Sequence, residues 1–440
     1  MQIDMSFMTS FFDLLNAKYN YAVLRGYEEL PDKFSSHDVD ILINKSDYKL
    51  LKDDLKNLFD DFGFQLLLVN ENERFHTIVI AKQIDNEIQF LYIDFFFNYS
   101  LFGVELLEAD TVLKRKLFNE KVYHVSLMDE FIEKYLNTSL LNKKYPLKYK
   151  HIYEKINDEN KEEVTTQLHH IFGDKSLSID SLQKLSGKTL LTKALFSNMK
   201  KKPLGQISLS IQFLYYYLKG KMYPNGFSFS MTGPDGSGKT TLLTQLEDMF
   251  SNIYREVELH HFRPTVIPRI AELFKKSGLK KEVDENYDKP HRGGKTGKLS
   301  SWFRLFYYIL DYVIGYYKIV KPVLFRRGVI IFDRYYTDII SDSKRSRIYL
   351  NYKTIFKLKF LVPNMDYNFI ISVNPERILE RKHELTREQI NDIYEKLEYI
   401  SMKDKSYKVI NNDNDPQIAV NEIIDFILTK QDSKYRKFFK

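Results

Sequence analysis

Residues Phe227–Thr232 form a short strand-like run that passes without a break into Gly233-Pro234-Asp235-Gly236-Ser237-Gly238-Lys239-Thr240. This segment fits the pattern G-x-x-x-x-G-K-[ST] at every fixed position. A strand, a glycine turn and then the helix-like stretch Thr240–Phe250 leave few folds open to the chain. Glycines let the backbone curl until its N–H groups converge on phosphate oxygens. The helix that follows adds the positive end of its dipole. Lys239 is placed to reach the β- and γ-phosphates, and the Thr240 hydroxyl to ligate Mg²⁺. The expectation is a site for ATP with Mg²⁺ built from Gly233, Asp235, Gly236, Ser237, Gly238, Lys239, Thr240 and Thr241.

Further strands are expected at Glu256–Phe262, Val329–Phe332, Phe369–Val373 and Tyr407–Ile410, each separated by helical patterns. Such alternation implies right-handed βαβ units and a parallel sheet, whose ligands sit at the carboxyl ends of the strands. Asp333 and Arg334 stand at one such end. Asp333 can hold Mg²⁺ through water and Arg334 can clamp a phosphate or carboxylate, a strand-end salt bridge being the plainer role. Arg263, after His260-His261-Phe262, points into the same crevice; the two histidines lack the spacing of metal ligands. Asp235 is not demanded by the loop pattern. It suits orienting or deprotonating an acceptor hydroxyl, or else an Asx turn within the loop. The Gly- and Lys-rich stretch Asp284–Lys298 reads as a mobile surface loop, and Trp302–Phe325 as a buried or half-buried helix.

Gly233–Thr241, Phe332-Asp333-Arg334-Tyr335-Tyr336 and Val373-Asn374-Pro375-Glu376-Arg377-Ile378-Leu379-Glu380-Arg381 together resemble thymidylate kinase over roughly Phe227 to Leu428. The resemblance implies a P-loop, nucleoside-monophosphate-kinase-like fold. It further implies a lid carrying Arg381, Lys382 and Arg387, acceptor phosphate handled by Arg263 and Arg334, and a hydroxyl contact from Asp235. The implied catalytic set is Lys239, Asp235, Arg334 and Arg381. Departures occur where thymidylate kinases continue Glu-Pro-Gly-Gly, here Pro264-Thr265-Val266, and where they bind thymine, here Thr337–Asp342. His261-Phe262-Arg263-Pro264, Asp311-Tyr312-Val313-Ile314-Gly315 and the turn Asp342–Arg347 look more like the thymidylate-kinase-like group found among bacterial surface-polysaccharide genes. Asp311 and Tyr336 fall in these motifs and join Arg263 and Arg334 as expected acceptor-binding residues. Thymidylate is therefore not the expected acceptor; a nucleoside monophosphate or a sugar-type hydroxyl remains.

Nearer the amino terminus, strands are expected at Tyr21–Leu24, Val39–Ile43, Phe64–Val69, Thr77–Ile80 and Ile88–Phe97, with helices at Ser6–Leu15 and Asp47–Phe59. Asp38 and Asp40 lie two apart on one strand and so on one face, and Asp94 interrupts another apolar strand. Three carboxylates on neighbouring strands suit a two-metal transfer site. With Gly26 before them, the spacing resembles the nucleotidyltransferase superfamily, although Tyr27 stands where that family has Gly or Ser. The alternative is a degenerate domain whose carboxylates pair with Lys and Arg. From Ser126 to Gly220 apolar residues recur at helical spacing, as in Leu127, Phe131, Ile132, Tyr135 and Leu136.

The chain's 440 residues are too many for one ordinary domain. The expected division is a nucleotidyltransferase-like α/β domain over 1–125, a helical connector over 126–222 and the kinase-like α/β domain over 223–440. Net charge is +7, a mild excess from which no nucleic-acid partner is read. There is no cysteine, which excludes disulfides and suits a reducing cytosol. No signal peptide or clean membrane-spanning run is evident, since Arg304, Asp311 and Lys318 break the longest apolar stretch. The expected activity is transfer of the γ-phosphoryl group of ATP to a small-molecule acceptor. Nucleotidyl transfer by the amino-terminal domain and a nucleotide-dependent switch in polysaccharide assembly are the alternatives. Oligomeric state is left open, a homodimer among the options.

Overall fold

The computed structural model describes residues 3–34, 36–144, 146, 150–182, 184–268, 297–382 and 384–439. The expected loop Asp284–Lys298 lies outside them up to residue 296, and Lys298 itself starts a helix. Contacts divide the chain into a first unit of residues 1–222 with 428–440 and a second of residues 223–427. The helical segment 126–222 falls within the first unit.

The first unit contains β1 (Tyr21–Val23), β2 (Asp38–Ile43), β3 (Gln65–Glu71), β4 (Phe75–Ile84), β5 (Glu87–Phe96), β6 (Asn98–Leu101), β7 (Val104–Glu108), β8 (Leu117–Phe118) and β9 (Tyr123–His124). Seven of these form one sheet in the order β3-β4-β5-β2-β1-β9-β8, and β6 pairs with β7 apart from it. Alternation along β2 sets its two faces. Val39, Ile41 and Ile43 join Phe7, Phe11, Leu51 and Leu55 in the core formed with helices Met5–Lys18 and Lys45–Asp61. Leu42 joins a second core with Phe131, Tyr135 and Leu136 of helix Leu127–Leu140. Asp38 and Asp40 share the face of Leu42. β2 and β5 are parallel, with Asp40 beside Asp94 in register.

The second unit holds β10 (Phe227–Thr232), β11 (Val257–His261), β12 (Val329–Asp333), β13 (Tyr367–Ser372) and β14 (Tyr407–Asn411). All are parallel, in the order β11-β12-β10-β13-β14. A mixed α/β fold with a parallel sheet, as expected, is thus present. β10 is central and buried along its whole length, as a parallel strand covered on both faces must be. Its alternate polar residues are satisfied: Ser230 Oγ donates to Asn368 Oδ1 at 2.7 Å and Thr232 Oγ1 to Asp338 Oδ1 at 2.6 Å. The stretch expected as one helix over Trp302–Phe325 is three joined segments, Lys298–Gly315, a π-helical turn Tyr316–Val320, and Lys321–Phe325. Among the described residues no helix is long and apolar enough to cross a membrane.

Candidate functional site

The glycine loop runs from the carboxyl end of β10 to helix Lys239–Ile253. Gly238 adopts φ 83°, and a β-carbon there would come within 2.5 Å of Asn412 Nδ2 and 3.8 Å of Arg381 Nη1. Only glycine admits both the backbone turn and that close approach. Asn412, just past the end of β14, donates from Nδ2 to the Ser237 carbonyl at 2.9 Å and so braces the loop from the far side of the sheet. Arg381 ends helix Pro375–Arg381 and is exposed.

Lys239 is buried, and its Nζ donates to the carbonyls of Gly233 (2.9 Å) and Pro234 (2.8 Å). Burial, helped by the charge of Arg334, pulls its pKa down to about 7, while Asp333, Asp235 and Asp338 pull it back up. The cation therefore sits in a place that lacks enough negative charge for it. Thr240 and Thr241 are exposed in the first helical turn.

Asp333 closes β12. Its Oδ2 lies 3.1 Å from His261 Nδ1, and its Oδ1 is buried with no hydrogen-bond partner among the described residues. An orphaned carboxylate oxygen is costly unless a cation or donor arrives. Asp333 and the exposed Thr240 hydroxyl thus suit Mg²⁺, a hard cation that takes one or two protein oxygens and completes its shell with phosphate and water.

Arg334 follows in the left-handed region at φ 72°, with its N–H on the Met231 carbonyl at 2.8 Å. A non-glycine residue held there stores about 1–3 kcal/mol of strain, and such residues cluster at functional sites. Its guanidinium lies between Asp338, at 2.5 Å, and Asp235. Asp235 also pairs with Arg345, which reaches back to Asp342 at 3.4 Å. Burial pushes the Asp235 carboxyl up, but Arg334 and Arg345 outweigh it and hold the pKa below its ordinary value. Asp235 is thus an ionised hydrogen-bond acceptor, tied across the loop mouth by two guanidiniums.

Arg263 stands in the turn after β11, where Phe262 and Thr265 both have positive φ. Asp311, fully buried, builds that turn. Its Oδ2 accepts from Arg263 Nη1 (2.7 Å) and Thr265 N (3.1 Å), and its Oδ1 from Val266 N (2.9 Å) and Ile267 N (2.8 Å). Tyr312 donates its hydroxyl to the Phe262 carbonyl at 2.9 Å. Two expected acceptor ligands are therefore corrected. Asp311 has both oxygens committed to holding Arg263 and its turn. Tyr336 is buried in the core, where its hydroxyl donates to the Ile355 carbonyl at 2.9 Å.

In the first unit, Asp40 and Asp94 line a cavity of about 240 Å³ with Arg25, Arg74, Glu133 and Lys134. Burial pushes Asp40 up to about 7; Arg25 pulls it down, and Asp94 and Asp38 push it further up. Arg25 pairs with Asp40 and lies 3.8 Å from Asp38, whose side chain is largely exposed. Of the three carboxylates expected as metal ligands, Asp40 and Asp38 thus lie beside the Arg25 guanidinium, and Asp94 lines the same cavity. Among the described residues no three His, Cys, Asp or Glu side chains are grouped to hold a metal ion. Tyr27 stacks on His124 with ring centroids 3.9 Å apart.

Asp338 and Arg345 lie in the segments Thr337–Asp342 and Asp342–Arg347 that the sequence singled out, but their pairing with Arg334 and Asp235 was not expected, and Asn412 was missed. Asn412 carries no local signal, because its partner is 175 residues away.

No protein-family model matches the chain, and no curated protein matches it. Solved structures similar to part of it include a thymidylate kinase from Ehrlichia chaffeensis, 21% identical with a TM-score of 0.33, covering 46% of this chain and 100% of that one. Another is a thymidylate kinase from Candida albicans, 16% identical with a TM-score of 0.34, covering 47% of this chain and 93% of that one.

Proposed function

We propose that the second unit is an ATP- and Mg²⁺-dependent kinase that moves the γ-phosphoryl group to a small acceptor. The observation that carries this reading is the convergence on one loop mouth of three differently charged elements. These are a buried lysine with its pKa pulled down, an orphaned carboxylate oxygen on Asp333, and Asp235 held ionised between two guanidiniums. Phosphoryl transfer needs positioning and charge balance more than covalent chemistry, and this set supplies both. Loop N–H groups and Lys239 bind the β- and γ-phosphates. Arg334 and Arg381 offset charge on the transferring group, Arg381 from the edge of the loop. Asp235 accepts a hydrogen bond from the acceptor hydroxyl and orients it. Mg²⁺, held by Thr240 and Asp333, would supply further charge neutralisation at the phosphate oxygens.

The test is acceptor-dependent ADP formation from ATP with Mg²⁺, across nucleoside monophosphates, nucleosides and sugars. ATP hydrolysis that no acceptor stimulates would point to a nucleotide-dependent switch instead. A second reading concerns the first unit, where Asp40 beside Asp94 around a cavity supports nucleotidyl transfer. Pyrophosphate release that the Asp40→Asn, Asp94→Asn variant lacks would establish it, and its absence would leave a structural carboxylate–guanidinium cluster.

A further inference from the structure

On the acceptor side of the loop mouth three guanidiniums among the described residues are held by carboxylates. Arg263 is paired with Asp311, Arg334 with Asp235 and Asp338, and Arg345 with Asp235 and Asp342. Among these described residues three cations meet four carboxylates, and each of the three already has a carboxylate on it. A phosphate monoester carries about −1.5 to −2 charges at neutral pH and is recognised by guanidinium forks open to it. To enter here it would have to displace buried anions. Asp338 is 1% exposed and fixed on its other side by the Thr232 hydroxyl. Stripped of Arg334 it would remain buried and uncompensated, which is strongly unfavourable. A neutral hydroxyl faces no such conflict: it donates to Asp235 and accepts from an N–H of Arg334 or Arg345 while the ion pairs stay in place.

We infer that the phosphoryl acceptor is an uncharged, hydroxyl-rich small molecule of the sugar or polyol class, and that Asp338 and Asp342 exclude acceptors that already carry a phosphate. This rests on the kinase reading above. In the reaction, the acceptor oxygen forms a bond to the γ-phosphorus as the bond from that phosphorus to the β–γ bridging oxygen breaks. ADP leaves, and the hydroxyl proton passes to Asp235 and on to water. Repulsion built against the wrong substrate, rather than added attraction for the right one, then sets the specificity.

Matched pairs that differ only by a phosphate test this: a nucleoside with its 5′-monophosphate, and a hexose with its hexose phosphate. With labelled ATP and Mg²⁺, kcat/KM for the uncharged member should be greater by about tenfold or more in each pair that reacts. Equal or higher values for the phosphorylated member would overturn the inference. Inorganic phosphate provides a test that needs no turnover. In calorimetry with a non-hydrolysable ATP analogue present, the wild-type chain should show no phosphate binding below about 10 mM, and Asp338→Asn, Asp342→Asn should bind it about tenfold more tightly or better. Submillimolar phosphate binding by the wild-type chain would overturn the inference. Failure of the analogue itself to bind would remove the kinase reading, an outcome separate from either phosphate result.

Discussion

Gly315 and Pro264 share one space: a β-carbon built on Gly315 would lie 2.2 Å from Cβ of the proline ring. The helix Lys298–Gly315 thus takes hold of the turn after β11 three times, through the Asp311 carboxylate, the Tyr312 hydroxyl and the missing side chain of Gly315. Its Asp-Tyr-x-x-Gly motif fixes the turn that carries Arg263.

Gly315→Ala should therefore push Pro264 away and move Arg263 with it. A shift of about 1 Å in a positioning group can cost on the order of a hundredfold in rate. Acceptor kcat/KM is expected to fall by about tenfold to a hundredfold, with ATP KM changed by less than about threefold. Steady-state kinetics with each substrate varied in turn will separate the two, and a rise in ATP KM alone would contradict this role.

Lys239 gives a proton-linkage prediction. With its pKa pulled down to about 7, it is mostly neutral in the free chain at about pH 8. A triphosphate beside it favours the charged form and raises the pKa, so ATP binding must take up a proton. Near pH 6 the lysine is already charged and uptake should vanish. Calorimetry in buffers of different ionisation enthalpy should show close to one proton taken up at about pH 8 and almost none at about pH 6. Proton release, or an uptake independent of pH, would be inconsistent with a neutral lysine in the free loop.

How far the sequence shows these relationships depends on their range. The run Phe227–Thr232 is visible because Phe227, Phe229 and Met231 alternate with small hydroxyl residues and lead straight into the glycine loop, and it coincides with β10. The alternation that puts Asp38 and Asp40 on one face is equally local. Asp311 is different. A carboxylate in an apolar helical stretch advertises that it has partners without saying which, and these are an arginine and three backbone N–H groups more than forty positions away. Arg25 is silent for the same reason, since only the β1–β2 pairing brings it onto Asp40. Tyr336 shares its motif with Arg334 but points the other way, because the helix that starts there turns its side chain into the core.

Arg25 and Asp40 give the first unit its own test. Burial holds Asp40 up at about 7, so the folded state binds its proton more tightly than the unfolded chain does. The contribution of this group to stability is accordingly lost as pH rises from about 4 to about 7. Arg25→Ala removes the partner that limits the loss. It should destabilise the chain by up to about 1.4 kcal/mol more near pH 8, where Asp40 must either ionise without its partner or take up a proton about one pH unit above its folded value, than near pH 5, where it is already protonated. Denaturant unfolding at the two pH values measures the difference; an equal effect at both would mean that Arg25 acts only by packing.

The central claim is phosphoryl transfer from the loop Gly233–Thr241, and following labelled phosphate tests it most directly. With γ-labelled ATP, Mg²⁺ and an uncharged sugar or nucleoside panel, the wild-type chain should place label on an acceptor. Lys239→Ala, folded by the same spectroscopic criteria, should retain less than about a tenth of that rate. Label found only as inorganic phosphate whatever acceptor is present, or a Lys239→Ala variant that keeps more than about a tenth of the transfer rate, would contradict the account.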